Sequence, residues 1–505
     1  MDQKVYAFSE GNRTMSDLLG GKGANLAEMA TLGIPVPDGF TITTEACQEY
    51  LRTGGLSEDL LRDIDSAIVS LEKKIGKSFG DASNPLLVSV RSGAKFSMPG
   101  MMETVLNVGM SKSVAATLAA QTGDARFAWD SYRRFIEMFG KTVCEIPGEA
   151  FTKAAAPIIE AAGGKTMADL EGDALEKVGD TFVAVVEKQT GESFPFDARS
   201  QLIRAIEAVF HSWNSERAQL YRRRERISAD LGTAVNVQAM VFGNIGDTSG
   251  TGVCFTRDPG SGAPGAYGDY LPRAQGEDVV AGIRNAYPLT HLGEVNPEAF
   301  AELNRIMALL EGHYRDMCDI EFTVEQGKLW ILQTRVGKRT AEAAFKIATQ
   351  LVDEGAITMD QALTRVNGEQ LVQLMFPQFD KASAPKELTR GIAASPGAAV
   401  GAVVFDPRDA ADQALSGAKV ILVRRETNPD DLVGMVAAQG ILTARGGKTS
   451  HAAVVARGMG RPAVCGTESI EVNVDEKYFT CGDVKVVEGD VISIDGTTGA
   501  VFLGE

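Results

Sequence analysis

Histidine is nearly absent from this chain, with four residues in 505. Any chemistry that needs an imidazole must fall to very few positions. Cysteine is sparse too. Cys47, Cys144, Cys254, Cys318, Cys465 and Cys481 are scattered and form neither a CxxC pair nor a zinc spacing. That argues against a structural zinc site or a disulfide framework and leaves reduced thiols in a cytoplasmic enzyme as the expectation. No stretch approaches about 18 consecutive apolar residues, so no membrane span is expected. The start, Met1-Asp2-Gln3-Lys4-Val5, carries no apolar leader and no Arg/Ser-rich transit character. Positive charge is in deficit: 50 Lys and Arg face 67 Asp and Glu, a net charge of −17. A general nucleic-acid binder needs a basic face, so the charge argues against that class, whereas a nucleotide needs only a few local cations. There is no convincing internal repeat and no low-complexity tract. A Walker A loop is missing as well. Gly76-Lys77-Ser78 and Gly447-Lys448-Thr449 mimic its end, but Leu71 and Leu442 stand where its first glycine belongs.

What is present begins with length. A chain of 505 residues exceeds what one hydrophobic core supports and suggests about two to four domains. Residues 1–110 alternate apolar runs with glycine turns. Leu18 to Leu26 reads as a glycine-rich loop entering a helix, and Phe40–Thr43 and Leu86–Arg91 read as strands. From about 111 to 230 the spacing turns helical, a subdomain inserted in the first fold. Strands return at Val235–Phe242, Gly252–Thr256, Ile320–Val324 and, after a Glu325-Gln326-Gly327 turn, Leu329–Gln333. Residues 341–375 read as helices, and the Pro/Ala/Ser/Lys stretch from Phe376 to Lys386 reads as a linker. The remainder, from about 388, is rich in glycine and strands. Lys419–Val423 is a buried strand, Asn428-Pro429 starts a helix with an Asn cap and Pro in its first turn, and Val491–Asp495 and Ala500–Phe502 flank a turn.

The scarce histidine matters most at Gly446-Gly447-Lys448-Thr449-Ser450-His451-Ala452-Ala453-Val454-Val455-Ala456-Arg457-Gly458. His451 stands between a glycine turn and a short helical run. The strand Gly440–Thr443 precedes it, which puts it at the carboxyl rim where open α/β sheets place ligands. Thr449 or Ser450 can cap the helix. A neutral, exposed imidazole there can attack phosphorus, and the phosphohistidine formed would sit beside the free amides of a helix start. The competing reading is a histidine simply packed among Ala and Val.

A nucleotide end can also be assembled. Gly20-Gly21-Lys22-Gly23 offers a flexible loop with a lysine, Ser89–Gly93 places Arg91 at a strand end, and Ser97–Thr104 is a Met-rich turn able to close over a base. Asp319 and Glu321 share one strand face, as do Gln333 and Arg335 on the next. If those strands pair, carboxylates suited to magnesium meet an arginine suited to phosphate.

The run around His451 resembles the phosphohistidine signature of the pyruvate, phosphate dikinase family, the enzymes that interconvert phosphoenolpyruvate and pyruvate. Ser450 before the histidine is similar to the dikinase; phosphoenolpyruvate synthase usually has cysteine there. Lys448 departs from the expected methionine and puts a mobile positive charge near the phosphate. The likeness extends through Leu19–Met29, Val88–Ala94, Ser131–Phe135, Ala274–Val280 and Leu332–Arg335.

The resemblance implies α/β and α+β multidomain architecture. An ATP-grasp nucleotide-binding domain would occupy 1–340 with its helical subdomain at about 111–230. A helical segment and linker would follow at 341–387, then a swivelling β/α phosphohistidine domain at 388–505. It implies His451 as catalytic residue. Lys22, Arg91, Arg134 and Arg335 would hold the triphosphate, with Thr104, Gln238 and Asp319 also at the nucleotide and Glu277 on its ribose or adenine side. Glu321 and Gln333 would hold Mg2+, and ammonium or potassium is an optional further cofactor. Thr449 matches a position that is a regulatory phosphorylation site in plant relatives; a helix cap is the competing reading.

ATP, AMP, phosphate and pyrophosphate are the implied ligands. No counterpart of the family's pyruvate-binding barrel is found, so the chain is expected to be either a truncated form or a natural short homologue, and in the second case a pyruvate-binding domain or acceptor protein in trans is the expected partner; a homodimer is allowed. Nucleic acid and membrane are not expected partners. The alternatives are a stand-alone homologue that phosphorylates another acceptor and a non-catalytic nucleotide-binding module.

Overall fold

The computed structural model describes residues 3–98, 100–281, 285–374, 379 and 386–505. Backbone contacts divide the chain into two units, 1–247 with 330–333, and 248–329 with 334–505. The expected linker falls mostly outside the described residues.

The first unit is built on a five-stranded antiparallel sheet ordered Val5–Ala7, Gly39–Ile42, Ala234–Ala239, Val88–Gly93, Thr104–Val108. The expected helical insertion is present as helices from Lys112–Thr122 to Glu216–Arg224. Their starts follow from short polar caps. Ser111, Asp124, Asp197 and Ser215 each accept a hydrogen bond from an amide in the first turn. Phe127, Phe135, Phe139, Phe182 and Phe210 bury their rings in a core shared with Val88, Val90, Val105 and Val237 of the sheet.

One local reading is corrected here. Residues 18–26 do not form a loop, because they lie inside the helix Ser16–Thr31, interrupted only at Gly20 (φ 66°, ψ 170°). The physical reason is contact. A Cβ on Gly20 would stand 1.5 Å from the Gly93 carbonyl oxygen, and the Gly21 amide donates to the Ala94 carbonyl (2.9 Å). The helix is broken at one residue so that its backbone can lie against the end of the Val88–Gly93 strand.

The second unit contains two large sheets and a three-stranded meander. One is ordered Tyr287–Pro288, Pro264–Pro272, Gly250–Arg257, Cys318–Glu325, Lys328–Val336. The expected turn before its last strand forms with positive φ at Gln326 and Gly327. The helix Ala341–Asp353 packs Ala343, Ile347 and Leu351 on Phe255 and Met317. The other sheet has eight strands. Ala398–Val404, Val420–Arg424, Gly440–Thr443 and Ala463–Cys465 run parallel at its centre, with antiparallel strands outside. One face is covered by the meander Ile470–Asn473, Tyr478–Cys481, Val484–Val487 through Ile470, Val472, Phe479 and Val486. The other face carries the helix His451–Met459 through Ala452, Ala453 and Ala456. The Ala/Val-rich spacing of that helix is explained by this packing, since small side chains let it lie close to the strands. Asn428 caps the turn Pro429–Asp431 as its sequence predicts.

No helix among the described residues is long and apolar enough to cross a membrane. All six cysteines are unpaired thiols.

Candidate functional site

In the first unit, Arg91 is the centre of a polar cluster on the sheet. Its guanidinium donates to Gln238 Oε1 (3.3 Å), to Gln333 Oε1 (3.2 Å) and to the Leu332 carbonyl (3.4 Å). Thr104 lies directly opposite Arg91 on the neighbouring strand. Lys22 arrives from the broken helix; a Cβ on Gly93 would lie 3.3 Å from the Lys22 Cβ. Gly93 therefore brings Lys22 alongside the strand of Arg91.

Gln238 is held at both ends of its side chain. Its side chain is 1% exposed and its NH2 donates to the Pro37 carbonyl (3.0 Å). With one end on Pro37 and the other on Arg91, it orients the arginine from below. Met98 and Met101 are buried, so in this state the methionine turn is packed rather than open as a lid; Pro99 lies outside the described residues.

Arg134 sits on the helix Ala125–Thr142. Its Nε donates to Asp130 Oδ2 (2.7 Å), and Arg133 binds the other oxygen (2.6 Å). Burial alone would raise the Asp130 carboxyl, but the two guanidiniums overcome this and hold it well below the usual carboxylate range. Asp130 is thus a buried anion that aims Arg134, and the sequence reading passed over it. An Asp four residues before an arginine on a helix was the available signal.

In the second unit, Asp319 and Arg335 do meet. Arg335 Nε donates to Asp319 Oδ2 at 2.7 Å, which joins the two strands at that pair. Asp319 is 4% exposed, and its Oδ1 has no hydrogen-bond partner among the described residues. Burial raises its carboxyl, and Arg335 opposes that. Glu321 follows two residues along the same strand. Glu277 opens the short helix Gly276–Ala281.

His451 is the first residue of its helix, and Ser450 rather than Thr449 is the cap, accepting from the Ala453 amide (3.5 Å). Gly446 takes φ 105°, which only glycine adopts without strain, and turns the chain back to the helix. Arg457 pins the turn from behind, with Nη2 on the Lys448 carbonyl (2.5 Å) and Nη1 on the Ala394 carbonyl (2.8 Å).

The exposure expected of the imidazole is corrected. His451 is only 8% exposed. Its Nδ1 is 3.0 Å from the Thr427 hydroxyl, and its Nε2 has no hydrogen-bond partner among the described residues. Burial pushes its pKa down to about 4, so the ring is neutral near pH 7. With the proton on Nδ1 and donated to Thr427, Nε2 keeps its lone pair. That tautomer is the one a nucleophilic role requires.

Thr449, the other capping candidate, is turned elsewhere. Its amide (3.1 Å) and hydroxyl (2.6 Å) both donate to Asp269 Oδ2 on the strand Pro264–Pro272. Burial raises the Asp269 carboxyl while these two bonds oppose it. Gly447 makes room, since a Cβ there would lie 2.6 Å from Asp269 Oδ2. Asp269 was not singled out from the sequence, and no local pattern marks it. Lys448, expected as a positive charge near the phosphate, places its Nζ 4.4 Å from the Tyr267 ring centroid.

Comparison with known proteins gives the family. The family model described as pyruvate phosphate dikinase, AMP/ATP-binding domain, matches residues 16–67, 58–291 and 289–356. The model described as PEP-utilising enzyme, mobile domain, matches 417–499. Pyruvate, phosphate dikinase of Clostridium symbiosum is 51% identical over 509 residues, covering 100% of this chain and 58% of the relative. The Rickettsia conorii protein of that name is 48% identical, covering 100% of this chain and 58% of its own length. Pyruvate, phosphate dikinase 1, chloroplastic, of Arabidopsis thaliana is 50% identical, covering 100% and 53%. The chain spans a little over half the length of the curated relatives it matches.

Proposed function

Because the chain belongs to the pyruvate, phosphate dikinase family, we propose that it carries the ATP-side half of that chemistry, with His451 as the relay. His451 Nε2 attacks the β-phosphorus of ATP. The bond from that phosphorus to the α–β bridging oxygen breaks, AMP leaves with the electron pair, and a pyrophosphorylated histidine remains. An oxygen of inorganic phosphate then attacks the terminal phosphorus. Pyrophosphate departs and phosphohistidine is left. The phosphoryl group finally passes to pyruvate, giving phosphoenolpyruvate, in a pyruvate-binding domain supplied by the remaining part of such a protein or in trans.

The observation that carries this reading is the state of the ring. His451 is neutral, oriented through Nδ1 by Thr427, and has an unpartnered Nε2 at a helix N-terminus. A buried structural histidine would be expected to satisfy both nitrogens. Phosphoryl transfer is mostly positioning and charge stabilisation, and Lys22, Arg91, Arg134 and Arg335 are proposed to supply the positive charge. Thr104 and Glu277 are proposed at the nucleotide, and Gln238 acts through Arg91.

The donor set fits magnesium. Asp319 has an unpartnered carboxylate oxygen and Glu321 follows it on the strand. Magnesium is commonly held by one or two carboxylates together with substrate phosphates. Glu321 is the proposed carboxylate ligand and Gln333 the proposed amide ligand. When bound, Mg2+ would neutralise triphosphate charge.

The test is incubation with [β-32P]ATP, magnesium and phosphate. We expect acid-labile, alkali-stable label that is absent from His451→Ala. Label that survives this substitution would place the acceptor elsewhere. Added pyruvate-binding domain should then convert the label to phosphoenolpyruvate.

A further inference from the structure

Two consecutive residues of the turn before His451 engage one strand of the neighbouring sheet. Thr449 donates twice to Asp269, and Lys448 places its ammonium over the face of Tyr267. Tyr267 and Asp269 are two apart on Pro264–Pro272, so they present their side chains on the same face. The ring is itself braced. Tyr267 lies opposite Phe255 in the register of the adjoining strand, with ring centroids 6.3 Å apart. It also packs against the cluster formed by Met317, Ile347 and Leu351. Both partners are half-buried, and a cation on an aromatic face gains strength as water is removed.

We propose that Lys448 is a positioning residue. Its ammonium on the Tyr267 face seats the turn that carries His451 on the strand Pro264–Pro272, and this seat governs how often Nε2 is in place to receive a phosphoryl group. The proposal rests on the phosphohistidine reading of His451. Both Thr449 bonds end on the same carboxylate oxygen and so supply a single point of attachment. The second contact, on the next residue and the same strand face, removes rotation about the first.

The seat is tested without catalysis by amine footprinting. The full chain is treated briefly with acetic anhydride and read by mass spectrometry, with the exposed Lys419 as internal reference. Lys448 should be acetylated more slowly than Lys419, the protection should vanish in Tyr267→Leu, and it should persist in Tyr267→Phe, which keeps the ring. Equal reactivity of Lys448 and Lys419 in the unaltered protein, or unchanged protection in Tyr267→Leu, overturns the proposal.

Kinetics supply the second arm. Lys448→Met and Tyr267→Leu should each slow single-turnover labelling of His451 roughly two- to thirty-fold. Lys448→Arg should restore it, and the double variant should be no slower than either single one. Equal labelling rates in all variants overturn the proposal and leave the phosphohistidine reading intact. Absence of label from the unaltered protein overturns that reading instead, and the footprint alone then judges the seat.

Discussion

The Thr427 hydroxyl lies 3.0 Å from His451 Nδ1, across 24 residues of sequence. Thr427 is buried at the end of the strand–turn segment that Asn428 and Asp431 close with reciprocal hydrogen bonds, so the hydroxyl is presented by a fixed backbone. Asp431 is in turn paired with Arg424 (3.2 Å). Thr427 therefore holds the ring through Nδ1 and leaves Nε2 as the nitrogen with no hydrogen-bond partner among the described residues. Thr427→Val keeps the shape and removes the hydroxyl. It should slow single-turnover labelling of His451 by about two- to tenfold, the worth of one hydrogen bond, and Thr427→Ser should recover most of the loss. Equal rates for valine and threonine would show that the bond does not orient the ring.

Acid should destabilise the fold through the same imidazole. Its folded pKa, about 4, lies below the ordinary value of 6.5. Below pH 6.5 the unfolded chain binds a proton that the folded chain refuses. The stability present above pH 6.5 is thus lost as pH falls toward 4, and no more is lost through this group below that. Between pH 7.5 and 5 the loss is about 2 kcal/mol. His451→Asn removes the titration. Urea unfolding at the two pH values should therefore show a smaller acid penalty for the variant, and identical penalties would mean that the ring is not desolvated.

Much of this was legible from the sequence because the signals were local. The helical subdomain, the Asn428-Pro429 start, the hairpin turn at Gln326-Gly327 and the strand–turn–helix around His451 each depend on spacing within about a dozen residues. Asp319 with Arg335 was reachable because period-two faces on two successive strands must meet if the strands pair. Partners distant in sequence were not legible. Nothing near Asp269 announces that it will accept two bonds from Thr449, 180 residues later. Thr427 likewise carries no mark of its role. The low exposure of His451 was missed for a related reason: a nucleophile's residue type argues for access, whereas its burial is decided by what packs around it. The Gly20–Gly23 run misled in the opposite direction, since glycine suggests a loop, while here it permits helix to lie against strand.

That contact gives a sharp comparison. Gly20 and Gly33 both have positive φ, 66° and 71°. A Cβ on Gly33 would meet nothing within 4 Å, whereas one on Gly20 would strike the Gly93 carbonyl at 1.5 Å. Gly20 also has ψ 170°, a region essentially reserved for glycine. Gly33→Ala should cost only about 1 kcal/mol of backbone strain. Gly20→Ala should cost at least about 3 kcal/mol, because the helix must also withdraw from the strand and carry Lys22 with it. Thermal melts should separate the two. Gly20→Ala should also lose protection by ATP, which Gly33→Ala should keep; equal behaviour of the two would deny the close approach.

Gly447 offers the matching test beside the histidine. Its φ is not in the left-handed region, so alanine there brings no backbone strain, only a methyl 2.6 Å from Asp269 Oδ2. Asp269 cannot simply swing away, because that same oxygen receives both bonds from Thr449. Gly447→Ala should break them and slow His451 labelling, as should Thr449→Val, each by about tenfold for a carboxylate hydrogen bond of 1.5 kcal/mol or so. Asp269→Ala removes the obstacle and the acceptor together. In that background Gly447→Ala should have almost no further effect, a coupling of at least about 1 kcal/mol in a double-mutant cycle. Additive losses would mean that the methyl acts elsewhere and that the Asp269–Thr449 contact does not position the turn.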